Sequence, residues 1–324
     1  MPMIMDDAGA SSPPAPDLPR LDPVLGYYGP TSAMWRVNRE AVLLGAGPAA
    51  LLLQIAHPHV AEGVAHHSDF QADPWRRLRR TLRTTLAMVF GDGPTAERAV
   101  RRLNGVHAMV RGEAADPEAR ALAGPTYRAM DPALLLWVQV TLVWTSVQAY
   151  ERWVEPLDAA DREELWTEAR EVGQRLGIPL EASPPDWPAL EAYWARMLGP
   201  DGPITITATA RRLAASIVRP PILGLPTPAI DLLATPGLAL LPERIRTAYG
   251  IPWGPVRASM ARVADVSLRL WVGMMPLAWR SMPQARAADR RVRRAGHGAA
   301  TPPQGATASL QSTGPAPEEP TVRA

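Results

Sequence analysis

Helix boundaries are spelled out along this chain, and they constrain the fold more than any other feature. Asp73-Pro74 and Asp131-Pro132 each place a side-chain acceptor at an N-cap and a proline at the first helical position, where its missing N–H costs nothing. Asp186, with Pro188 just inside, repeats the device. Gly91, Gly112, Gly177 and Gly199 follow apolar periodic stretches, where a helix stop favours a residue free to turn left-handed. The periodicity predicts about ten helices, including 33–44, 49–66, 74–90, 95–111, 132–154, 160–176, 187–198, 205–218, 242–249 and 254–280. β-branched runs such as Ile204–Thr207 are short, so the expected class is all-α. There is no internal repeat and no sign of a second domain. The expected organisation is one helical body over 21–295. The segments 1–20 and 296–324 are rich in Pro, Ala, Ser, Thr and Gly, bury little apolar surface, and are expected to be disordered.

With 47% hydrophobic residues in 324, the body can bury a sizeable core. No cysteine is present, which excludes disulfides, thiolate-bound zinc, iron–sulfur clusters and thiolate-ligated haem. All 34 basic residues are arginine, against 32 acidic ones, and a net charge of +2 gives no argument for nucleic acid as a partner. The first twenty residues lack the basic-then-apolar order of a signal peptide. The longest apolar segments are interrupted, 41–56 by Gly45, Gly47 and Pro48, and 133–149 by Gln139, Thr141, Thr145, Ser146 and Gln148. Both read as core helices, so a soluble, cytoplasmic protein with no membrane span is expected.

Six histidines carry the candidate chemistry. His297 lies in the Gly-rich tail. His57, His59, His66 and His67 fall within HPHVAEGVAHHSDF, where His59 and His66 can share a helix face with Glu62 between them. That cluster reads either as a metal site or as capping and packing histidines. His107 differs. In TAERAVRRLNGVHAMVRG, Val100, Leu103, Val106 and Val110 recur on one helical face, and His107 sits at its edge. It is either a hydrogen-bonded core residue or a neutral axial ligand in an apolar pocket. The preceding helix, PWRRLRRTLRTTLAMVFG, has a core stripe of Trp75, Leu78, Leu82 and Val89. Its solvated face carries Arg76, Arg79, Arg80 and Arg83, and its boundary stripe carries Arg77, Thr81, Thr84 and Met88. The boundary stripe either lies on the surface or brings Arg77 and Thr81 to a buried anion or bound oxygen.

These stretches together resemble the rubber oxygenase (latex clearing protein) and MpaB-type oxygenase catalytic domain family. The resemblance rests on LLLQIAHPHVAEGVAHHSDF at 51–70, Arg77-x-x-Arg80-Thr81, Phe90-Gly91 and Val106-His107-x-x-Val110-x-Gly112. It continues through YRAMDPALLLWVQVTL at 127–142, Tyr249–Trp253 and the closing MPLAWRSMP. It implies a single helical domain with a globin-like core that binds haem b, with iron held by His107 and with Arg77 and Thr81 beside the haem. Glu62 is the nearest match by spacing to the family's catalytic glutamate. Two departures stand out: Arg80 replaces a lysine, and the catalytic glutamate has no match beyond Glu62 by spacing, which argues against rubber cleavage itself. Gln139 also occupies a position that is often histidine. The implied activity is a haem-dependent oxidoreductase using O2 on an apolar, isoprenoid- or lipid-like substrate. The alternatives are a non-catalytic haem or hydrophobic-ligand binder, and a helical interaction protein without cofactor.

Overall fold

A computed structural model describes residues 20–67, 74–219 and 227–296. Helices dominate them. In chain order they are α1 (Ala33–Asn38), α2 (Gly47–Ile55), α3 (Pro58–His67), α4 (Pro74–Phe90), α5 (Gly93–Met109), α6 (Pro117–Ala123), α7 (Pro132–Trp153) and α8 (Ala159–Arg175). After these come α9 (Trp187–Met197), α10 (Ala208–Val218), α11 (Thr227–Leu238), α12 (Glu243–Ala248), α13 (Pro255–Met274), α14 (Leu277–Arg280) and α15 (Pro283–Arg294). An antiparallel hairpin, β1 (Arg111–Glu113) with β2 (Thr126–Arg128), pairs Gly112 with Tyr127. The tails expected to be disordered lie almost wholly outside the described residues, as does Asp73.

The starts behave as the sequence predicts. Asp131 accepts from the Ala133 amide and Asp186 from that of Ala189, while Asp92, Asp116 and Asp158 cap α5, α6 and α8 in the same way. The stops divide. Gly177 ends α8 with φ of 99°, the left-handed turn the pattern calls for. Gly91 has no positive φ; it is small because the α4–α5 turn is tight, and a Cβ there would lie 2.2 Å from the Ala87 carbonyl oxygen and 3.1 Å from the Ala96 nitrogen.

Three expected helices are broken. The 49–66 segment is two helices: Ala41–Ile55 and Pro58–His67 are bent 107° apart. Pro58 is the cause, since it lacks an N–H and pushes the residue before it away from helical geometry. The 33–44 segment stops at Asn38 and resumes as a 3-10 turn over Ala41–Ala46. The 254–280 segment breaks at Pro276. The hairpin and helices α6, α11 and α15 are further additions to the expected set.

α7 forms the centre. Trp137 and Trp153 on it are fully buried, as are Trp35 and Trp166 from α1 and α8. The Trp137 indole N–H donates to the Leu53 carbonyl at 3.1 Å, fixing α7 to α2. Trp144 stacks on Trp194 of α9 at 4.7 Å, Trp194 stacks on Trp137 at 5.6 Å, and Trp144 stacks on Trp187 at 5.8 Å. Each such pair contributes about 0.5–1.5 kcal/mol beyond its buried area. α7 is also the one described helix long and apolar enough to cross a membrane, and 61% of its apolar window is buried inside the protein. The main core cluster runs from Tyr28 to Val292. α15 closes it, with Ala285, Ala288 and Val292 inward and Arg291 donating to the Val24 and Phe90 carbonyls, both at 2.9 Å.

Candidate functional site

α4 and α5 form a hairpin of helices packed along each other. The two-residue turn at Gly91-Asp92 makes them antiparallel, so positions equally far from the turn lie level. Arg77 stands 90 − 77 = 13 residues before Phe90, the last residue of α4, and His107 stands 107 − 93 = 14 residues after Gly93, the first of α5. The two backbones are therefore within one residue of the same level, roughly 20 Å up the pair. The Arg77 side chain lies outside the described residues. Arg80 and Arg83 are exposed as expected and Thr84 and Met88 are half-buried, but Thr81, expected on the boundary stripe, is exposed. Of the expected core stripe Val89 is buried and Leu82 half-buried, Trp75 and Leu78 lie outside the described side chains, and Leu86 and Phe90 are buried beside them.

His107 occupies the last turn of α5, and its carbonyl accepts from the Val110 amide at 3.0 Å. The ring is half-buried. Its Nδ1 is sealed from solvent and has no hydrogen-bond partner. Burial pushes its pKa down, so the imidazole is neutral at pH 7. One turn earlier, Asn104 donates from Nδ2 to the Arg175 carbonyl at 2.8 Å, pinning α5 to the end of α8. Asn104 Oδ1 is buried without a partner. Gln139 repeats this on α7: its Nε2 donates to the Ala169 carbonyl at 2.5 Å and its Oε1 is left unpartnered. Asn104 was not singled out by sequence reasoning, although its place three residues before His107 on the same face was the available signal.

The Glu62 cluster is built differently. Glu62 is fully buried on α3, and its Oε2 accepts from the amides of Ala115 at 2.5 Å and Asp116 at 3.3 Å, with His66 Nε2 at 3.8 Å. Its Oε1 has no partner. His59 Nε2 meets the Gly124 carbonyl at 3.1 Å, His66 Nδ1 the Tyr127 hydroxyl at 2.9 Å, and His67 Nε2 the Arg111 carbonyl at 3.2 Å. These four residues tie α3 to the β1–β2 hairpin and the α6 entry. Asp116 extends the network, accepting from the Thr209 amide at 3.0 Å at the start of α10. Burial would raise its pKa, but the amides of Thr209 and Glu118 outweigh that and hold it low. Among the described residues, no group of three or more His, Asp or Glu is arranged to hold a metal ion.

His57 stands apart from its neighbours. It sits at the α2–α3 break, buried, with Nδ1 unpartnered. Burial first, and His59 second, push its pKa down to about 4 against a small opposing pull from Asp131. His57 and His107 are therefore the two described imidazoles with a buried, uncommitted ring nitrogen.

Residues 35–271 match the family described as "ER-bound oxygenase mpaB/B'/Rubber oxygenase, catalytic domain". The chain belongs to this family. Most of the helical body, including α3 to α5 and nearly all of α13, falls within the match, so the body is an oxygenase catalytic domain of the MpaB/rubber-oxygenase type. Among relatives, uncharacterized proteins of Mycobacterium bovis and Mycobacterium tuberculosis are each 30% identical over 245 residues, covering 69% of this chain and 91% of theirs. No solved structure matches significantly.

Proposed function

We propose that this MpaB/rubber-oxygenase domain binds haem b on His107 and uses O2 to oxidise an apolar, isoprenoid- or lipid-like substrate. The carrying observation is the neutral, half-buried His107 imidazole on the edge of an apolar face of α5, with no hydrogen bond from its Nδ1 to the protein. A chelated metal ion needs several protein ligands, whereas a haem brings four nitrogens of its own and asks the protein for one axial imidazole. A lone histidine of this kind, with no multi-ligand cluster among the described residues, fits that demand. Bound haem would supply the oxygen-activating chemistry. The chain's own part would be to hold the imidazole neutral through its partial burial where α5 packs along α4. Arg77, nearly level with His107, and Thr81 one turn along are the groups that would pair with a propionate or polarise an oxygen ligand. The globin-like character of the core is part of the same proposal.

One observation favours a second reading, a haem or hydrophobic-ligand binder without turnover. Glu62 spends one carboxylate oxygen on the Ala115 and Asp116 amides, leaving only Oε1 for acid/base work. Oxygen-electrode assays of the haem-loaded protein with polyisoprene and with polyunsaturated lipid separate the two. Substrate-dependent oxygen uptake supports the oxygenase, and none with either substrate class supports the binder.

A further inference from the structure

Residues 255–296 contain nine arginines and two acidic residues. Both acids are spent inside the fold. Asp265 pairs with Arg152 at 2.7 Å and accepts from the Trp153 indole at 2.9 Å, and Asp289 pairs with Arg39 at 2.7 Å. Arg262 and Arg269 on α13 are exposed; the exposed Arg286, Arg290, Arg293 and Arg294 belong to α15, which packs on α4. No exposed carboxylate lies in this stretch to balance them.

The same stretch exposes an apolar face. Val256 (76%), Val263 (66%), Leu270 (59%) and Met274 (70%) line one side of α13, and Trp279 on α14 is 75% exposed. Leu232 on α11 adjoins it across a shallow groove of about 650 Å³ lined by Val256, Met260 and Val263. Monomers rarely expose a contiguous apolar stripe of this kind unless something binds it. Arg262 and Arg269 each precede a stripe residue, which sets them about 100° round the helix, at the flank of the apolar face. An apolar stripe flanked by unpaired arginine charge, with a tryptophan at its end, matches a surface that is greasy inside and anionic at its rim. A second copy of this chain fits poorly, because it would set the Arg262 and Arg269 charges of two copies against one another.

We infer that α13 and α14 form a peripheral docking face for an anionic phospholipid bilayer. Val263, Leu270, Met274 and Trp279 enter the headgroup boundary, and Arg262 and Arg269 contact lipid phosphates. The helices lie in the membrane plane and do not span it. This stands apart from the haem reading, since lipid binding and haem content are measured separately.

Flotation of the full chain with vesicles tests it. Binding is expected to phosphatidylcholine vesicles containing phosphatidylglycerol, to weaken steeply with salt, and to be lost on phosphatidylcholine alone. Val263→Asp and Leu270→Asp, both at exposed positions, should cut binding by about tenfold or more with unchanged melting temperature. Arg262→Gln with Arg269→Gln should weaken binding and flatten its salt dependence. Three results overturn the inference: no binding to anionic vesicles, equal binding by the aspartate variants, or a dimer in sedimentation that those aspartates dissociate while vesicles are not bound.

Discussion

His107 and His57 share one feature among the described histidines, a buried Nδ1 with no partner, and burial pushes the pKa of each imidazole down. Their shifts have the same consequence. In the unfolded chain each imidazole titrates near 6.5, and in the folded one each titrates lower, His57 at about 4. Between those values the unfolded state holds the extra proton, so the stabilisation is complete above pH 6.5 and is lost as pH falls towards 4. For His57 alone the full span corresponds to about 3 kcal/mol. Half-buried Glu168, whose carboxyl is pushed up to about 7 by desolvation, titrates in the opposite sense over the same window, so the readout is a difference. Between pH 7 and pH 5 the wild type should lose about 2 kcal/mol more stability in urea unfolding than His57→Gln. An unchanged slope in the variant would mean that His57 titrates freely in the folded protein. His107 was legible in sequence as a histidine at the edge of an apolar stripe. His57 was not, because nothing in HPHVAEGV distinguishes a histidine sealed at a helix break from one bonded to a neighbouring carbonyl.

At the scale of elements, the caps were readable and the breaks were not. Asp131 and Asp186 act through a neighbouring amide, so a short window reveals them. Pro58 permits either a kinked helix or a full break at His57-Pro58, and the 107° turn is the one that seats α3 against the hairpin through His66 and Tyr127. α15 escaped because its arginine-rich sequence hides three small inward residues, Ala285, Ala288 and Val292. The glycines give a paired test. Gly105 lies exposed in α5 with nothing within 4 Å of a Cβ, so Gly105→Ala should stabilise by about 0.5–1 kcal/mol by removing unfolded-state freedom. Gly91→Ala drives a Cβ into the last carbonyls of α4 and should destabilise by about 1–3 kcal/mol. Thermal melts of both variants check the pair. Equal effects would show that the α4–α5 turn has slack.

For the whole molecule, α7 and its tryptophans hold the frame, and the α4–α5 hairpin is carried on it. Trp194 joins Trp137 and Trp144 in one stack, so Trp194→Ala should cost about 3–5 kcal/mol, read as a fall in urea midpoint. The all-α class followed from local signals spread along the chain. That Arg77 and His107 fall at nearly the same level needed the α4–α5 turn, because thirty residues separate them and no periodicity links one helix to the next. If α5 carries a haem site at His107, binding haem should raise the melting temperature, since a ligand that binds only the folded state stabilises it. The decisive reading is the haem content and visible spectrum of protein purified from haem-supplemented cells, compared with His107→Ala and His57→Ala. The expected result is a red wild type with about one haem per chain and a Soret band, a folded His107→Ala variant that has lost both, and a His57→Ala variant that keeps them. A colourless wild type, or a His107→Ala variant with full haem and an unchanged spectrum, would contradict the account.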